Sequence, residues 1–583
     1  MHCRYPSRFI ASLASLAILS QSPIARSQSS PPPGITLPPN LPDRIEDPPA
    51  KPSESPLSSP TPSAPSPNLQ IPELPSPPQA LPSEPPQETP VPNKAKFRIQ
   101  QVEVLGNTVL QAEIAQLTQP FTNKLVSFED LVQLRSAITQ LYLDQGYITS
   151  GAFLSTNQSL RKGIVQIQVI EGRLEKINIT GLTRLRESYV RSRLAIASQP
   201  PLSRANLERS LQLLQLDPLL QQVNAELTAG SAPGLSVLRL QLKEAPPFSA
   251  GLEIANNQAP SIGSIQGNLF ASYANVTGFG DRLQIDYGRT EGLENYGILY
   301  SVPFNGLNGN FSVRYSKNNS EIIEAVFRDL GIRSRSETLS FNLRQPVIRS
   351  PQTELAFGLA LDIRRSQTFL LDDIPFSFSE GPEQGRSKVT VLRFYQDWVN
   401  RSATRVLAAR SQFSFGLNAF GATVNDVSVD GRFFAWLGQF QWVQQISPRV
   451  LMVARIDTQL TPDPLLSLEQ LSLGGVDTVR GYRQNQLVAD NGLLAALEFR
   501  IPLTRNPQIL QITPFIEFGM GWNNRSPQPD PKLIAGIGTG LRWQIARGFN
   551  LRLDYGFPLI PLDDRGDSLQ DQGFYFSLNY QPI

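Results

Sequence analysis

Histidine and cysteine, which often carry nucleophilic, acid–base or metal chemistry, are almost missing from this chain of 583 residues. It has one histidine, His2, and one cysteine, Cys3, both at the very start of the sequence. If a leader containing them is removed, the rest has no thiol nucleophile, imidazole base, disulfide or Cys/His metal site. The sequence also lacks a phosphate-binding loop that ends in Lys and Ser or Thr. We therefore expect no enzymatic activity, no cofactor and no bound metal.

The most distinctive remaining chemistry lies in the Gly-punctuated stretch Leu473–Tyr482, which carries one arginine, Arg480. Clean alternating runs flank it at Val450–Leu460 and Leu493–Ile501. A connection of roughly thirty residues between two strands is far longer than a hairpin loop, which indicates a functional or disordered segment. Its glycines favour a defined fold-back. We expect this loop to fold into a membrane pore.

Residues 1–27 have the composition of a secretory signal peptide. A basic start is followed by the apolar core Phe9–Leu19 and by the small-x-small cleavage site Ala25-Arg26-Ser27. The core is too short to span a bilayer as a helix. An alternative keeps Cys3 as a lipidation site, although Cys3 precedes the apolar core instead of following it.

Residues 28–95 are dominated by proline, with 23 of the 50 prolines of the chain lying between Pro31 and Pro92. Such a composition cannot bury a core and favours extended segments, so we predict a disordered, semi-rigid linker. The formal net charge of the whole chain is +2. This near balance gives no reason to expect a nucleic-acid partner.

Two copies of one β-α-α-β-β order follow, which predicts two small α+β domains at 96–172 and 173–245. In the first copy, the second helix should bury one face that carries leucines and isoleucine. The predicted face is Leu131, Leu134, Ile138, Leu141 and Leu143. The second copy repeats the order with little residue identity, so we interpret the pair as an internal structural repeat.

From 246 to 583 the pattern changes to about sixteen runs of 8–12 residues with period-2 alternation. Short turns alternate with longer polar connections, such as Asn318–Ser334 and Gln367–Arg386. Short turns at one rim and long loops at the other are typical of a transmembrane β-barrel. Strands of this kind cross a bilayer only as a closed barrel, since every backbone group must be paired. The fold class is thus a 16-stranded outer-membrane barrel preceded by two α+β domains and a linker.

From about residue 96 onward the chain resembles the two-partner-secretion transporters (TpsB proteins of the ShlB/FhaC/HecB type), a branch of the superfamily that includes BamA. In the first domain the resemblance rests on Gly106-Asn107-Thr108, Leu141-Tyr142, Gly146-Tyr147-Ile148 and Glu171-Gly172. These motifs are similar to the first polypeptide-transport-associated (POTRA) domain of that branch. The second copy resembles its second POTRA domain. The resemblance implies that both domains lie in the periplasm.

The loop motif resembles the family's signature in the sixth outer loop, and strand counting places it between the eleventh and twelfth strands. The family's partner motif, aromatic-x-Asp-x-Gly in the thirteenth strand, is matched here with glutamate in place of aspartate. The resemblance implies that Arg480 enters the lumen and pairs with Glu517, and Glu498 also stands at a family-like position. The candidate site residues are Val479, Arg480, Gly481 and Tyr482 in the loop, with Phe515, Glu517 and Gly519 in the strand.

A solvated Arg480–Glu517 pair would contribute about 0–1 kcal/mol, whereas breaking a buried one would cost about 3–5 kcal/mol. A simple buried pair predicts that Arg480→Glu combined with Glu517→Arg restores the secretion that each change alone removes.

Two features depart from the family. The chain ends Tyr580-Gln581-Pro582-Ile583 instead of on an aromatic residue, and no helical pattern precedes the first domain. We therefore expect no N-terminal plug helix.

The resemblance implies a translocator that captures an unfolded exoprotein in the periplasm, by strand addition, and secretes it through the barrel. The implied client is a TpsA-like β-helical protein of the haemolysin or adhesin type. Outer-membrane lipid and the barrel-assembly machinery are the other implied partners. One alternative is a BamA-like assembly factor, which two POTRA units disfavour. A passive porin, or an enzyme built on Asp, Glu and Ser, is the remaining alternative.

Overall fold

The computed structural model describes residues 68–70, 96–155, 163–426, 428–562 and 566–582. The predicted signal peptide, most of the predicted linker and the segment considered for a plug helix lie outside the described residues. The chain divides into two compact units, one within 64–245 and the other from 246 to 583. Within the described ranges, no helix is both long enough and apolar enough to cross a bilayer.

The first unit contains two α+β domains in tandem, in agreement with the repeated pattern. The first consists of β2 (Phe97–Ile99), β3 (Gln101–Leu105), α1 (Gln111–Thr118), a 3-10 turn (Gln119–Phe121), β4 (Lys124–Val126), α2 (Phe128–Asp144), β5 (Gly151–Leu154) and β6 (Ile164–Ile170). The second consists of β7 (Arg173–Thr180), α3 (Glu187–Leu194), α4 (Arg204–Gln215), β8 (Leu220–Ala229) and β9 (Leu235–Glu244). A further strand, β1 (Asn68–Gln70), precedes both domains.

Helix α2 forms where the sequence provides both a start signal and an apolar face. Ser127 caps it in a reciprocal box: its hydroxyl accepts the Asp130 N–H at 3.2 Å, and the Asp130 carboxylate accepts the Ser127 N–H at 2.7 Å. The side chains of Leu131, Leu134 and Ile138 are buried as predicted. The prediction for the last turn was wrong, because Tyr142 is fully buried there while Leu141 and Leu143 are only half-buried. The helical period places position 142, four residues after 138, on the buried face.

Each domain is built around a parallel pair of strands. In the first, β3 pairs in parallel with β6, and β5 pairs antiparallel with β6. In the second, β7 pairs in parallel with β9, and β8 pairs antiparallel with β9. The second sheet has a fourth strand, because β1 pairs in parallel with β8. Residues 68–70 lie in a proline-free stretch of the predicted linker, so their N–H groups can join a sheet edge.

A glycine turn and a glutamate are repeated at equivalent places in the two domains. Gly106 follows β3 with φ +85°, and Gly181 follows β7 with φ +87°. Each glycine lies against a strand carbonyl, so a Cβ would be only 2.5 Å or 2.0 Å from that oxygen. Two residues after those carbonyls come Glu171 and Glu244. Glu171 accepts the N–H groups of residues 108 and 109, and Glu244 accepts those of residues 183–185.

The second unit is a closed barrel of sixteen antiparallel strands, as predicted. The strands are β10 (Phe248–Ala255), β11 (Gln266–Ala274), β12 (Arg282–Arg289), β13 (Leu293–Pro303), β14 (Asn310–Glu321), β15 (Arg333–Arg349), β16 (Thr353–Leu370), β18 (Arg386–Arg401), β19 (Arg405–Leu417), β20 (Phe434–Ser447), β21 (Val450–Leu460), β24 (Asn491–Pro502), β25 (Leu510–Trp522), β26 (Leu533–Ala546), β27 (Phe549–Pro558) and β28 (Phe574–Tyr580). The outer loops also contain β17 (Ile374–Pro375), β22 (Leu471–Leu473), β23 (Leu487–Ala489) and the 3-10 turns Pro260–Ile262 and Arg328–Leu330.

The two faces of the barrel follow the period of two seen in the sequence. Ile285 of β12 lies opposite Ile298 of β13, and both side chains are exposed on the outer surface. The neighbouring register points inward, where Asp286 forms an ion pair with Arg314 at 3.4 Å. Alternation thus places apolar side chains toward lipid and charged ones toward the lumen.

Several strands are longer than predicted. Strand β14 continues to Glu321, β15 begins at Arg333, and β16 runs for 18 residues to Leu370. The predicted connections Asn318–Ser334 and Gln367–Arg386 are therefore partly strand. A bilayer needs about 9–11 residues per strand. The surplus extends beyond the membrane, where a continued ladder satisfies the backbone better than a loop would.

We predict that Glu171→Gln loosens the Gly106 turn without unfolding the first domain. Burial raises the pKa of Glu171, but hydrogen bonds from Thr108, Val109 and Tyr142 outweigh burial and hold the pKa below its usual value of 4.5. Such a carboxylate stabilises the turn above that usual pKa and ceases to do so as the pH falls through the lowered pKa. Loss of the charged acceptor should cost about 1–2 kcal/mol.

Hydrogen exchange of the Thr108 and Val109 amides in the full-length protein measures this effect. Exchange should accelerate about tenfold in the variant at neutral pH. After correction for the intrinsic rate, the wild-type protein should show the same loss of protection in acid. Glu113→Gln on α1 removes an exposed carboxylate of the same domain and is the matched control. Equal exchange in Glu171→Gln and wild type would contradict the assignment.

Candidate functional site

The segment 461–490, hereafter loop six, connects β21 to β24 and folds back on itself. Its two short strands pair with each other, with Leu471 opposite Ala489 and Leu473 opposite Leu487. Leu473 and Val479 are fully buried in an apolar cluster with Ile534 of the barrel wall. Loop six is therefore an ordered element packed on the inner wall, as its glycines predicted.

The turn that presents the loop motif depends on glycine. Gly474, Gly475 and Gly481 have φ values of +106°, +98° and +104°. Residues with a side chain rarely adopt this region of backbone space. The Thr478 hydroxyl accepts the Gly474 N–H at 2.8 Å, which closes the turn immediately before Arg480. The arginine is thus held by the backbone before its side chain makes any contact.

Arg480 is buried against Glu517 of β25. The Arg480 N–H donates to one oxygen of the Glu517 carboxylate at 2.7 Å. The other oxygen accepts Nε at 3.0 Å and Nη2 at 2.6 Å. Arg480 is 2% exposed and Glu517 3%. The glutamate that departs from the family's aspartate therefore reaches both the backbone and the side chain of the loop arginine.

Two more carboxylates complete the site. Arg480 Nη1 donates to Asp554 of β27 at 2.8 Å, and Nη2 donates to Glu498 of β24 at 3.1 Å. The guanidinium carbon lies 3.3 Å from the centre of the Phe515 ring, in cation–π geometry. We call Glu498, Glu517 and Asp554 the acidic cluster. Further arginines of the wall contact it: Arg500 at 3.1 Å, Arg542 at 3.6 Å and Arg552 at 2.5 Å.

Glycines on the wall let the loop approach closely. A Cβ at Gly519 would lie 2.9 Å from Val479 Cγ2, and one at Gly536 would lie 2.0 Å from the Arg480 carbonyl oxygen. A Cβ at Gly556 would lie 2.5 Å from the Gly481 nitrogen. The absence of side chains at these strand glycines leaves the space that the loop backbone occupies.

Two buried tyrosines hold the rest of the motif. The Tyr482 hydroxyl lies 2.9 Å from the carbonyl oxygens of both Ala535 and Ile560. The Tyr575 hydroxyl of β28 accepts the Gly481 N–H at 2.8 Å and donates to the Tyr482 carbonyl at 2.6 Å. The loop tip is therefore hydrogen-bonded to β26 through Ala535 and to β28 through Tyr575, in addition to the contacts that Arg480 makes.

Beyond the motif, loop six contacts the last outer loop, residues 559–573. Arg483 donates to both oxygens of Asp571, at 2.8 and 3.0 Å. Burial raises the pKa of Asp571, but hydrogen bonds from Arg483 and Ser568 outweigh it and leave the pKa below its usual value. The Gln484 N–H donates to the Gln570 side chain at 2.8 Å.

The structure brings together all the candidate residues named from the sequence. Val479, Arg480, Gly481 and Tyr482 lie on the inner wall, in contact with the face of β25 that carries Phe515, Glu517 and Gly519. Sequence reasoning missed Asp554 and Tyr575. Both lie in strands whose alternation was recognised, in the register that faces the lumen. Their position in that register was the only feature of the sequence that pointed to Asp554 and Tyr575. The register alone does not show which of its polar side chains contacts the loop.

Comparison with known proteins identifies the family. The profile described as haemolysin secretion/activation protein ShlB/FhaC/HecB matches residues 234–543, which is more than half of the chain. The profile of the ShlB-type POTRA domain matches residues 97–172. The chain belongs to this secretion family. It is thus an outer-membrane transporter whose POTRA domains lie in the periplasm.

Individual relatives agree. The chain is 26% identical over 409 residues to the outer membrane transporter CdiB of Dickeya dadantii, covering 68% of this chain and 71% of that protein. It is 23% identical over 511 residues to the heme/hemopexin transporter protein HuxB of Haemophilus influenzae, covering 83% and 87%. The solved structure of CdiB from Escherichia coli matches with a TM-score of 0.64 at 23% identity, covering 85% and 92%. At that identity, the match shows a shared fold.

We predict that Arg480→Ala releases the tip of loop six. The change leaves the acidic cluster without its central cation, at a cost of about 3–5 kcal/mol. Amide exchange of residues 478–482 in the full-length protein should accelerate by about a hundredfold or more. Arg449→Ala, in the short turn between β20 and β21, removes an exposed arginine and is the control. Wild-type exchange in Arg480→Ala would show that the tip is held without the cluster.

The geometry changes the expected result of reversing the predicted pair. Arg480→Glu with Glu517→Arg would place a carboxylate beside Glu498 and Asp554. We therefore expect the double reversal to leave the loop as mobile as Arg480→Glu alone does. Full recovery of protection at residues 478–482 would instead indicate that Glu517 is the one partner that matters.

Tyr575→Phe tests the bond between the loop tip and the last strand. It keeps the ring but removes the hydroxyl, leaving the Gly481 N–H and the Tyr482 carbonyl without that partner. A buried unsatisfied group costs about 1–3 kcal/mol, so exchange at residue 481 should rise about tenfold or more. Tyr580→Phe is the control, since Tyr580 lies in the same strand and is 46% exposed. Equal exchange in the two variants would rule out a role for the Tyr575 hydroxyl.

Proposed function

We propose that this transporter binds an unfolded exoprotein in the periplasm and secretes it through the barrel lumen, with loop six as the removable obstruction. The observation that carries the proposal is the buried contact of Arg480 with Glu498, Glu517 and Asp554. It holds the loop inside the barrel by ionic and hydrogen bonds, which are reversible. A passive porin would need neither such an anchor nor two POTRA domains.

Client capture by strand addition is supported by the second POTRA domain. Strand β1 already pairs in parallel with the edge strand β8 through residues 68–70. This edge therefore accepts an extended segment, and main-chain hydrogen bonds of this kind bind peptides with little dependence on sequence. A client strand at the same edge has to displace β1. The first domain offers the edges of β3 and β5.

We assign the client to the TpsA-like β-helical exoproteins of the haemolysin or adhesin type. This class fits a conduit without nucleotide hydrolysis, because folding outside the cell can supply direction. We further propose that residues 1–27 are a cleaved leader and that the barrel-assembly machinery inserts the barrel. The roles of Val479, Arg480, Gly481 and Tyr482, and of Phe515, Glu517 and Gly519, are part of the same proposal: together they hold the resting loop.

Deletion of the gene tests secretion against barrel assembly. A secretion role predicts that one large exoprotein disappears from the medium and from the cell surface. The amounts of other outer-membrane barrels should stay at their wild-type level. Complementation with the wild-type gene should restore the exoprotein, and complementation with the Arg449→Ala control should do the same. A general loss of outer-membrane barrels would instead indicate a BamA-like assembly factor.

A further inference from the structure

Loop six has a further buried charged contact, on a different part of the wall, and here the loop supplies the negative charge. Glu469, near the start of the loop, forms an ion pair with Arg364 of β16. It also accepts hydrogen bonds from Arg393 Nη2 of β18, at 3.0 Å to one oxygen and 2.9 Å to the other. The Glu469 side chain is 6% exposed and that of Arg364 is 5% exposed. This contact is thus largely shielded from solvent, as the Arg480 site is.

Around Glu469, the barrel wall alone carries more positive than negative charge. Arg393 has a second partner on the wall, since its Nε donates to Asp362 at 2.7 Å. Arg364 forms its ion pair, within the described part of the chain, with Glu469. Without Glu469, two buried arginines would face one carboxylate. Leaving a buried charge uncompensated is unfavourable, so this wall depends on the loop carboxylate.

Apolar contacts fix the same segment of the loop. Leu465, Leu466 and Leu468 belong to a buried cluster with Val389 and Val391 of β18. The segment is also joined to the end of the loop, because the Asp490 carboxylate accepts the Leu465 N–H at 3.0 Å and the Gln470 side chain at 2.9 Å. Residues 465–470 are therefore an ordered anchor and not a slack connection.

We call the contact of Arg480 with the acidic cluster the first latch of the transport pore. We propose that Glu469 with Arg364 and Arg393 is a second latch, and that both latches must open before a client can pass. This rests on the proposed function, in which the lumen is the conduit. The Arg480 latch lies on β24, β25 and β27, and the Glu469 latch on β16 and β18. Strands β19, β20 and β21 separate the two sites around the wall. Loop six supplies a cation to one and a carboxylate to the other.

The opposite signs have a mechanistic consequence. A single added charge, whether from a client or from the solvent, cannot weaken both latches in the same way. A cationic segment of client competes with Arg480 for the acidic cluster, and an anionic segment competes with Glu469 for the two arginines. A client with both signs of charge displaces the loop at both ends. A small ion of one sign therefore competes at one latch and leaves the other in place.

The test uses full-length protein in planar lipid bilayers and in hydrogen exchange, and neither measurement needs a client. Glu469→Gln should raise exchange at residues 465–473 about tenfold while residues 478–482 stay protected. It should also increase the fraction of time that the pore spends in its high-conductance state. Combining Glu469→Gln with Arg480→Ala should open the pore more than either change alone. Wild-type exchange and conductance in Glu469→Gln would overturn the proposal.

Two further variants separate a latch from a general loss of stability. Glu354→Gln breaks the 2.6 Å pair with Arg344, whose two residues both lie on the wall, and should leave loop exchange unchanged. Arg364→Gln removes the wall partner instead of the loop carboxylate, so it should raise exchange at residues 465–473 as Glu469→Gln does. An increase in Glu354→Gln equal to that in Glu469→Gln, or wild-type exchange in Arg364→Gln, would overturn the latch.

Failure of the latch and failure of the proposed function give different results. If Glu469→Gln opens the pore but deletion of the gene affects no exoprotein, the latch stands and the secretion role is wrong. If deletion removes an exoprotein but Glu469→Gln behaves as wild type in both measurements, the secretion role stands and the latch is wrong.

Discussion

The resting structure of the barrel depends on one desolvated cation, the guanidinium of Arg480. A buried charge without partners is unfavourable by several kcal/mol, and the same is true of several carboxylates brought together. Glu498, Glu517 and Asp554 lie on different strands and are held close by the fold. Wall arginines contact Glu498 and Asp554, whereas Glu517 pairs with the loop arginine. Arg480 in turn needs these carboxylates, because its guanidinium N–H groups are almost completely shielded from solvent. Wall and loop therefore stabilise each other through the Arg480–Glu517 contact.

The period of the sheet determines which side chains take part. Phe515, Glu517 and Gly519 alternate along β25, so all three face the lumen, where one stacks on Arg480, one binds it and one leaves room for Val479. A register shift of one residue would turn all three toward lipid. Closure of the barrel prevents such a shift, since every strand is paired on both sides. The closed sheet thus supplies the precision that the buried contact requires.

The sequence alone was enough for the barrel, because alternation is a local property that each strand displays independently. The two domains were visible as a repeated order of elements, and the Arg480–Glu517 contact came from family resemblance. Asp554 and Glu469 could not be found in this way. Each is one of many charged residues that face the lumen, and their partners are set by distant strand pairings. Likewise, β1 was hidden within a segment whose average composition argues against any strand.

Loop six is also connected to the closure of the barrel. The first and last strands pair over only four residues, Leu252–Ala255 with Ser577–Tyr580. Beyond them the Asn256 side chain replaces a backbone group, accepting the Phe576 N–H at 2.6 Å and donating to the Phe574 carbonyl at 2.8 Å. Gln570 donates to the Asn256 carbonyl and accepts from the Gln484 backbone of loop six. Because Tyr575 binds the loop tip from the same closing strand, the loop supports the barrel where its pairing is shortest.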